Sequence, residues 1–127
     1  MVYDLKGDKT GAVSSYRNAL KLKSDFTPAL NNLAWDLSER GDLDEALRLA
    51  THALEKSPED PLVMDTYGWI LYRKGETVSA AGELNKAVEA MPNHPEIQEH
   101  LAEVLEKLGR TTEAAEHRAK AAKLRGE

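Results

Sequence analysis

Four glycines of this 127-residue chain lie at intervals of 34 residues, and much of the sequence repeats with them. The glycines are Gly7, Gly41, Gly75 and Gly109. Two sets of alanines keep the same interval, one at positions 12, 46, 80 and 114 and the other at positions 19, 53, 87 and 121. A repeat of this length predicts a row of similar structural units, each of which buries its apolar face against its neighbours.

The residues between successive glycines predict two helices in every repeat. Alanine, leucine, glutamate and lysine recur there, and these residue types lose little entropy on entering a helix. Each glycine predicts the end of the first helix, because glycine adopts the left-handed backbone conformation at little cost. We therefore expect seven helices, at about 9–23, 26–40, 43–57, 61–74, 77–91, 95–108 and 111–125, and no strand, so the predicted fold class is all-α.

Helix starts are marked as well. Three short segments join a capping residue to a proline, and they are Thr27-Pro28, Asp60-Pro61 and Asn93-His94-Pro95. Each predicts the first turn of a helix, since proline is favoured there. Asp42 with Glu45 three residues later predicts a capping box at the start of another helix.

A 34-residue helix–turn–helix unit with these columns of small and large residues resembles the tetratricopeptide repeat. The resemblance covers essentially the whole chain as a single domain. It implies a partial repeat at 1–26, complete repeats at 27–60 and 61–94, and a degenerate C-terminal repeat at 95–127, in which Arg118 replaces a large apolar residue. It also implies a right-handed superhelical solenoid of antiparallel helix hairpins.

The same resemblance implies a binding groove. In tetratricopeptide repeat proteins the first helices of the hairpins line a concave surface, where a peptide or a partner surface usually binds. By helix register, the residues expected to face this groove are Asn31, Asn32, Trp35, Asp65, Thr66, Trp69, Tyr72, Arg73, Glu99, His100, Glu103 and Glu106.

Two features of this groove leave alternatives open. Trp35 and Trp69 occupy the same position of two successive repeats, and they either contact a ligand, as tryptophans at binding hot spots do, or only stiffen the inner wall. Four glutamates share one broad face of a single helix, at positions 96, 99, 103 and 106. That face is either merely solvated or a binding site for a basic segment of a partner. In the second case, added salt would weaken the binding.

Composition argues against several other functions. The net charge is −5, which disfavours nucleic-acid binding. No apolar run approaches the roughly 20 residues that span a bilayer, so direct membrane insertion is not expected. The N-terminus lacks the layout of a signal peptide, which predicts a cytoplasmic location by default. Cysteine is absent, so thiolate nucleophiles and cysteine metal sites are excluded.

No catalytic or metal-binding arrangement is evident. No serine has an activating base nearby in the sequence pattern, and the glycines stand at helix ends rather than in a phosphate-binding loop. His52 and His117 are expected on the surface, while His100 lies one helical turn from both Glu96 and Glu103. Such a stripe lacks the three or four supported ligands of a zinc site. We expect no enzyme activity, no cofactor and no metal.

The sequence therefore predicts a non-catalytic scaffold that binds a protein or peptide in its groove. The alternative is a structural or assembly segment of a longer array. At the N-terminal edge Tyr16 and Leu20 lack their usual partner, which favours a fragment of such an array, or a homo-oligomer formed through that edge.

Residues 31–35 (NNLAW) and 67–75 (YGWILYRKG) are similar to segments of long bacterial tetratricopeptide repeat proteins. Some of those are envelope lipoproteins associated with exopolysaccharide export and C-terminal protein sorting. This resemblance implies a bacterial origin and a parent protein that is periplasmic or associated with the envelope.

Overall fold

The computed structural model describes residues 26–127. Within that range it contains six α-helices and no strand. The helices are α1 Thr27–Arg40, α2 Leu43–Lys56, α3 Pro61–Arg73, α4 Thr77–Ala90, α5 Pro95–Lys107 and α6 Thr111–Leu124. Each agrees with its predicted range to within a residue at either end, so the all-α helical repeat is confirmed. The helix predicted at 9–23 lies outside the described residues.

Glycines end the first helix of each described hairpin, as predicted. Gly41, Gly75 and Gly109 have φ of 89°, 91° and 83°, the left-handed conformation that other residues rarely adopt. At the first of these turns the amide of Asp42 donates to the carbonyl of Leu37 at 2.9 Å. This bond satisfies a carbonyl that the helix itself leaves unpaired and turns the chain into the second helix.

Two of the predicted helix starts are confirmed. The Asp60 carboxylate accepts from the amide of Leu62 at 2.9 Å, and the His94 ring accepts from the amide of Ile97 at 3.3 Å. Both side chains thereby satisfy an otherwise unpaired donor in the first turn.

The other two predicted starts are wrong in detail. Phe26, not Thr27, precedes the first turn of α1, and the Thr27 hydroxyl instead accepts from that of Ser57 at 3.1 Å. Asp42 does precede α2, but its side chain makes no capping bond. Its ψ of 64° departs from the extended conformation from which a capping side chain usually reaches the amides.

The chain divides into two compact units, residues 1–58 and 59–127. In the described part of the first unit, α1 packs on α2. Leu30, Leu33 and Leu37 of α1 are each 1% exposed, and the alanines of α2 at positions 46, 50 and 53 are fully buried. The hairpin is thus held by leucines that pack where the facing helix carries only small residues.

The second unit contains two hairpins, α3–α4 and α5–α6, with α4 packed on α5 and α3 also touching α5. A Cβ atom at Gly68 would lie 3.0 Å from Cγ of Leu84, so glycine allows the close approach of α3 and α4. Ile70, Leu84 and Leu101 are at most 1% exposed, and burial of each such side chain contributes about 2 kcal/mol. No helix of the described residues is long and apolar enough to cross a membrane.

Candidate functional site

The candidate site lies where α3 and α5, the first helices of the two hairpins in the second unit, come together. Nδ1 of His100 on α5 lies 2.8 Å from Oδ1 of Asp65 on α3. Because a carboxylate can only accept, the imidazole N–H donates in this bond. The Asp65 side chain is 11% exposed and that of His100 19%. A largely buried hydrogen bond therefore joins two residues that are 35 positions apart in the sequence.

Aromatic rings surround this bond. The Trp69 ring stacks on the His100 imidazole, with ring centroids 4.5 Å apart and planes 29° apart. Tyr72 lies one helical turn further along α3, with its centroid 5.1 Å from that of Trp69. Both aromatic side chains are half-buried. The three rings thus form a continuous, partly exposed surface. Contacts between aromatic rings also stabilise the packing of α3 on α5.

Glu103 borders this surface. The Tyr72 pKa is raised above its ordinary value by burial first, and then by the charge of the Glu103 carboxylate and a hydrogen bond to it. A carboxylate that accepts from the phenol favours the neutral form of tyrosine. Glu103 itself is exposed. The resulting surface, which we call the aromatic face of α5, combines His100 and Glu103 with Trp69 and Tyr72 of α3.

Two further predicted residues of α3 are placed differently. Thr66 is 4% exposed, and its hydroxyl donates to the carbonyl of Leu62 at 3.1 Å. Arg73 is exposed near the end of α3. Asp65, Trp69 and Tyr72 are therefore the predicted residues of this helix that the structure brings into the cluster.

The predicted glutamates of α5 divide between two sides. Glu106 forms two hydrogen bonds with the Arg118 guanidinium of α6, at 2.9 and 3.1 Å, and Glu99 pairs with Arg125 just beyond α6. The Arg118 contact lowers the Glu106 pKa and is reciprocated by a raised pKa of Arg118. We call this side the arginine face of α5.

The predicted residues of the first unit lie on α1. Asn32 is exposed and Trp35 is half-buried. Asn31 is half-buried, and its side-chain oxygen is enclosed without a hydrogen-bond partner among the described residues. Their part in a groove stays a prediction.

One histidine is not where the sequence suggested. His117, expected on the surface, is half-buried and donates from Nδ1 to Oε1 of Gln98 at 2.6 Å. The Gln98 amide in turn donates to the carbonyl of Pro92 at 2.8 Å. The reason is that Gln98, itself 3% exposed, needs an internal donor for its buried oxygen. The signal was present in the sequence: Leu30 and Met64 hold the equivalent positions of the two preceding repeats, so a polar residue there requires a partner.

A recess lies on the other side of α5, between α4 and α6. Its volume is about 470 Å³, and Leu101, Leu105 and Leu108 contribute to its lining. Val78 at its rim is 75% exposed. Across residues 26–127, no group of three or more histidine, aspartate or glutamate side chains is arranged to hold a metal ion.

Comparisons with known proteins agree with this architecture. Residues 37–98 match the family model described as tetratricopeptide repeat. A search of curated protein sequences gives no significant match. Among solved structures, MamA from Desulfovibrio magneticus RS-1, from position 41 to its end, has a TM-score of 0.80 at 22% identity, over 94% of this chain and 67% of that one.

Two further MamA structures are similar. One, a crystal structure of MamA, has a TM-score of 0.78 at 19% identity, over 94% of this chain and 70% of the other. The second, MamA of AMB-1, has a TM-score of 0.72 at 24% identity, over 93% and 67%. At such identities the likeness shows a shared fold. This repeat fold is typical of protein-interaction scaffolds, which are generally not catalytic. Residues 37–98 thus match the tetratricopeptide repeat, and the hairpins of residues 26–127 have the same helical-repeat fold as the MamA structures.

Proposed function

We propose that this chain is a non-catalytic scaffold that binds a segment of a protein partner along the aromatic face of α5 and the neighbouring surface of α3. The observation that supports this most is the cluster of Asp65, His100 and Trp69. The repeats at 27–60, 61–94 and 95–127 are the structural units of the proposal.

The cluster has the physical properties of a binding hot spot. Trp69 and Tyr72 offer large, partly exposed rings that lose little entropy when a partner covers them. The hydrogen bond between Asp65 and His100 holds the imidazole under the indole before any partner arrives. Because the surface is already ordered, the partner bears less of the cost of ordering side chains on binding.

Selection from a library of random decapeptides, displayed on phage and presented to the full chain, tests the proposal. We expect enriched peptides whose affinity falls by about 2 kcal/mol in Trp69→Ala, the loss typical of a hot-spot aromatic residue. Val78→Ser, at the rim of the recess on the other side of α5, is the matched control and should leave the affinity unchanged.

Thermal unfolding of each variant separates loss of binding from loss of structure. The proposal is contradicted if no peptide is enriched over selection without the chain. It is equally contradicted if the enriched peptides bind the folded Trp69→Ala variant as tightly as the unaltered chain.

A further inference from the structure

Only two of the four glutamates of α5 pair with a cation among the described residues. On the arginine face Glu99 and Glu106 each pair with a guanidinium. Next to them on the same helix, Glu96 and Glu103 form no ion pair with any cation of residues 26–127. Glu103 does interact with the Tyr72 hydroxyl, whose pKa it raises, and its charge also acts on Arg118. One hydrogen bond leaves most of the acceptor capacity of a carboxylate unused.

Glu103 occupies a position that holds tryptophan in the preceding repeats. Glu103 follows Trp69 by 34 residues, so the third repeat carries a carboxylate where the two before it carry an indole. The Glu103 carboxylate interacts with the Tyr72 hydroxyl, and the Tyr72 ring lies beside that of Trp69, with centroids 5.1 Å apart. A carboxylate next to open aromatic surface suits a group that is both cationic and able to stack.

We infer that this surface takes an arginine side chain of the partner, with its guanidinium paired to Glu103 and lying against the open part of the Tyr72 and Trp69 rings. The inference rests on the proposed function, since it names the partner chemistry at the same site. The net charge of −5 also favours the approach of a basic segment.

Arginine suits the site better than lysine for two reasons. A guanidinium is planar and pairs with a carboxylate through two parallel hydrogen bonds, and it is more weakly hydrated than an ammonium group, so it stacks on rings more readily. The arginine face shows the first property on this same helix, because Arg118 binds both oxygens of Glu106. The aromatic face presents an equivalent carboxylate together with the rings.

Three synthetic decapeptides of glycine and serine test the inference, each with one central residue that is arginine, lysine or the neutral isostere citrulline. Each is titrated into the full chain and followed by NMR. We expect the arginine peptide to give saturable shifts at the indole N–H of Trp69. The lysine peptide should bind about threefold more weakly, because it stacks less well on aromatic rings, and the citrulline peptide should give no saturable shift.

Glu103→Gln should weaken binding of the arginine peptide about tenfold, because it removes a charge-assisted hydrogen bond. Glu106→Gln is the matched control, with the same change of charge at a carboxylate of the same helix that Arg118 already pairs, and should alter binding by less than about twofold. Equal binding of the citrulline peptide, undiminished binding to Glu103→Gln, or no saturable shift at Trp69 would each overturn the inference.

The library selection described above distinguishes failure of the arginine inference from failure of the proposed function. Enriched peptides that depend on Trp69 but contain no arginine would overturn the inference and leave the scaffold proposal standing. Absence of any enriched peptide would contradict the scaffold proposal itself, whatever the arginine peptide does.

Discussion

The two faces of α5 carry glutamates in opposite surroundings. On the arginine face Glu99 and Glu106 meet guanidinium groups from the C-terminal part of the chain. On the aromatic face His100 and Glu103 meet Asp65, Trp69 and Tyr72 of the preceding repeat. One helix thus presents two glutamates that arginines already neutralise beside Glu103, which could still pair with a cation of a partner.

Helix geometry explains the division. Residues three or four positions apart share one broad side of a helix, but a step of three turns the side chain by about 60° and a step of four by about 40° the other way. Residues seven positions apart differ by only about 20°. Glu99 and Glu106 are one such pair, and Glu96 and Glu103 are another. Acidic residues that share one broad helix face can therefore differ in their neighbours, and each has to be interpreted by what it contacts.

The largest effect is expected where both faces are disrupted together. Leu101, on the buried side of α5, is 1% exposed, and the packing that it provides positions both faces, so Leu101→Ala should reduce the free energy of unfolding by about 3 kcal/mol. Urea denaturation followed by circular dichroism measures the change. Ala119→Gly on the exposed side of α6 is a control for loss of helix stability alone, and it should cost about 1 kcal/mol. A smaller loss in Leu101→Ala than in this control would contradict the packing described.

The next effect concerns the aromatic face alone. His100→Ala leaves the carboxylate of Asp65, whose side chain is 11% exposed, without its imidazole donor, and the free energy of unfolding should fall by about 2 kcal/mol.

A double-mutant cycle with Asp65→Ala isolates the bond between them. Because the two groups bond to each other, removing both should cost less than the sum of the two single losses. Strictly additive losses would show that the bond does not form in solution.

A smaller effect concerns Tyr72 at alkaline pH. Its folded-state pKa is raised, by burial first and by Glu103 second, so the stability from neutral Tyr72 is complete below the unfolded value of about 10. That stability is lost as the pH rises through the folded-state pKa. Phenolate absorbance, taken as the difference between the chain and Tyr72→Phe, measures this pKa.

Two substitutions test which face Tyr72 belongs to, because each should change the Tyr72 pKa by a different amount. Glu103→Gln should lower it clearly, whereas Glu106→Gln should lower it less, because Glu106 is the smallest of the contributing causes. A larger decrease of the Tyr72 pKa in Glu106→Gln than in Glu103→Gln would mean that Tyr72 lies on the arginine face, contrary to the structure.

The smallest effect is expected on the arginine face. The hydrogen bond from Arg118 lowers the Glu106 pKa, so the stability from this pair is present above the unfolded pKa of the carboxyl and is lost as the pH falls through the folded one. Since the pair is exposed, solvent screens it, and Arg118→Ala should hardly change the midpoint of thermal unfolding at neutral pH. Carboxyl NMR should nevertheless show the Glu106 pKa rising in this variant. No rise would mean that the pair is absent in solution.

Much of the fold could be predicted because the residues that start and end its helices act locally. Gly41 and Gly75 adopt a backbone conformation that few other residues tolerate, and Asp60 caps the helix that Pro61 begins. Such features act within a few residues, so helix ends follow directly from the sequence. The capping box at Asp42 failed because it depends on a backbone angle that residue types alone do not determine.

The candidate site was only partly predictable. The 34-residue interval places Trp69 and His100 on the first helices of adjacent repeats, but their stacking and the bond to Asp65 depend on side-chain rotamers across a helix pair. The pairing of Glu106 with Arg118 depends likewise on how α6 lies against α5. The position of a residue along one helix predicts neither the contacts of Trp69 and Asp65 with His100 nor the pairing of Glu106 with Arg118.

One NMR spectrum tests most directly whether the aromatic face is the binding surface. The chain is mixed with the tightest peptide from the library, and the shifts of the Trp69 indole N–H and the Arg118 side-chain N–H are compared with those of the free chain. We predict a large shift at Trp69 and almost none at Arg118. A shift at Arg118 with Trp69 unchanged would contradict the account, because the partner would then bind the arginine face.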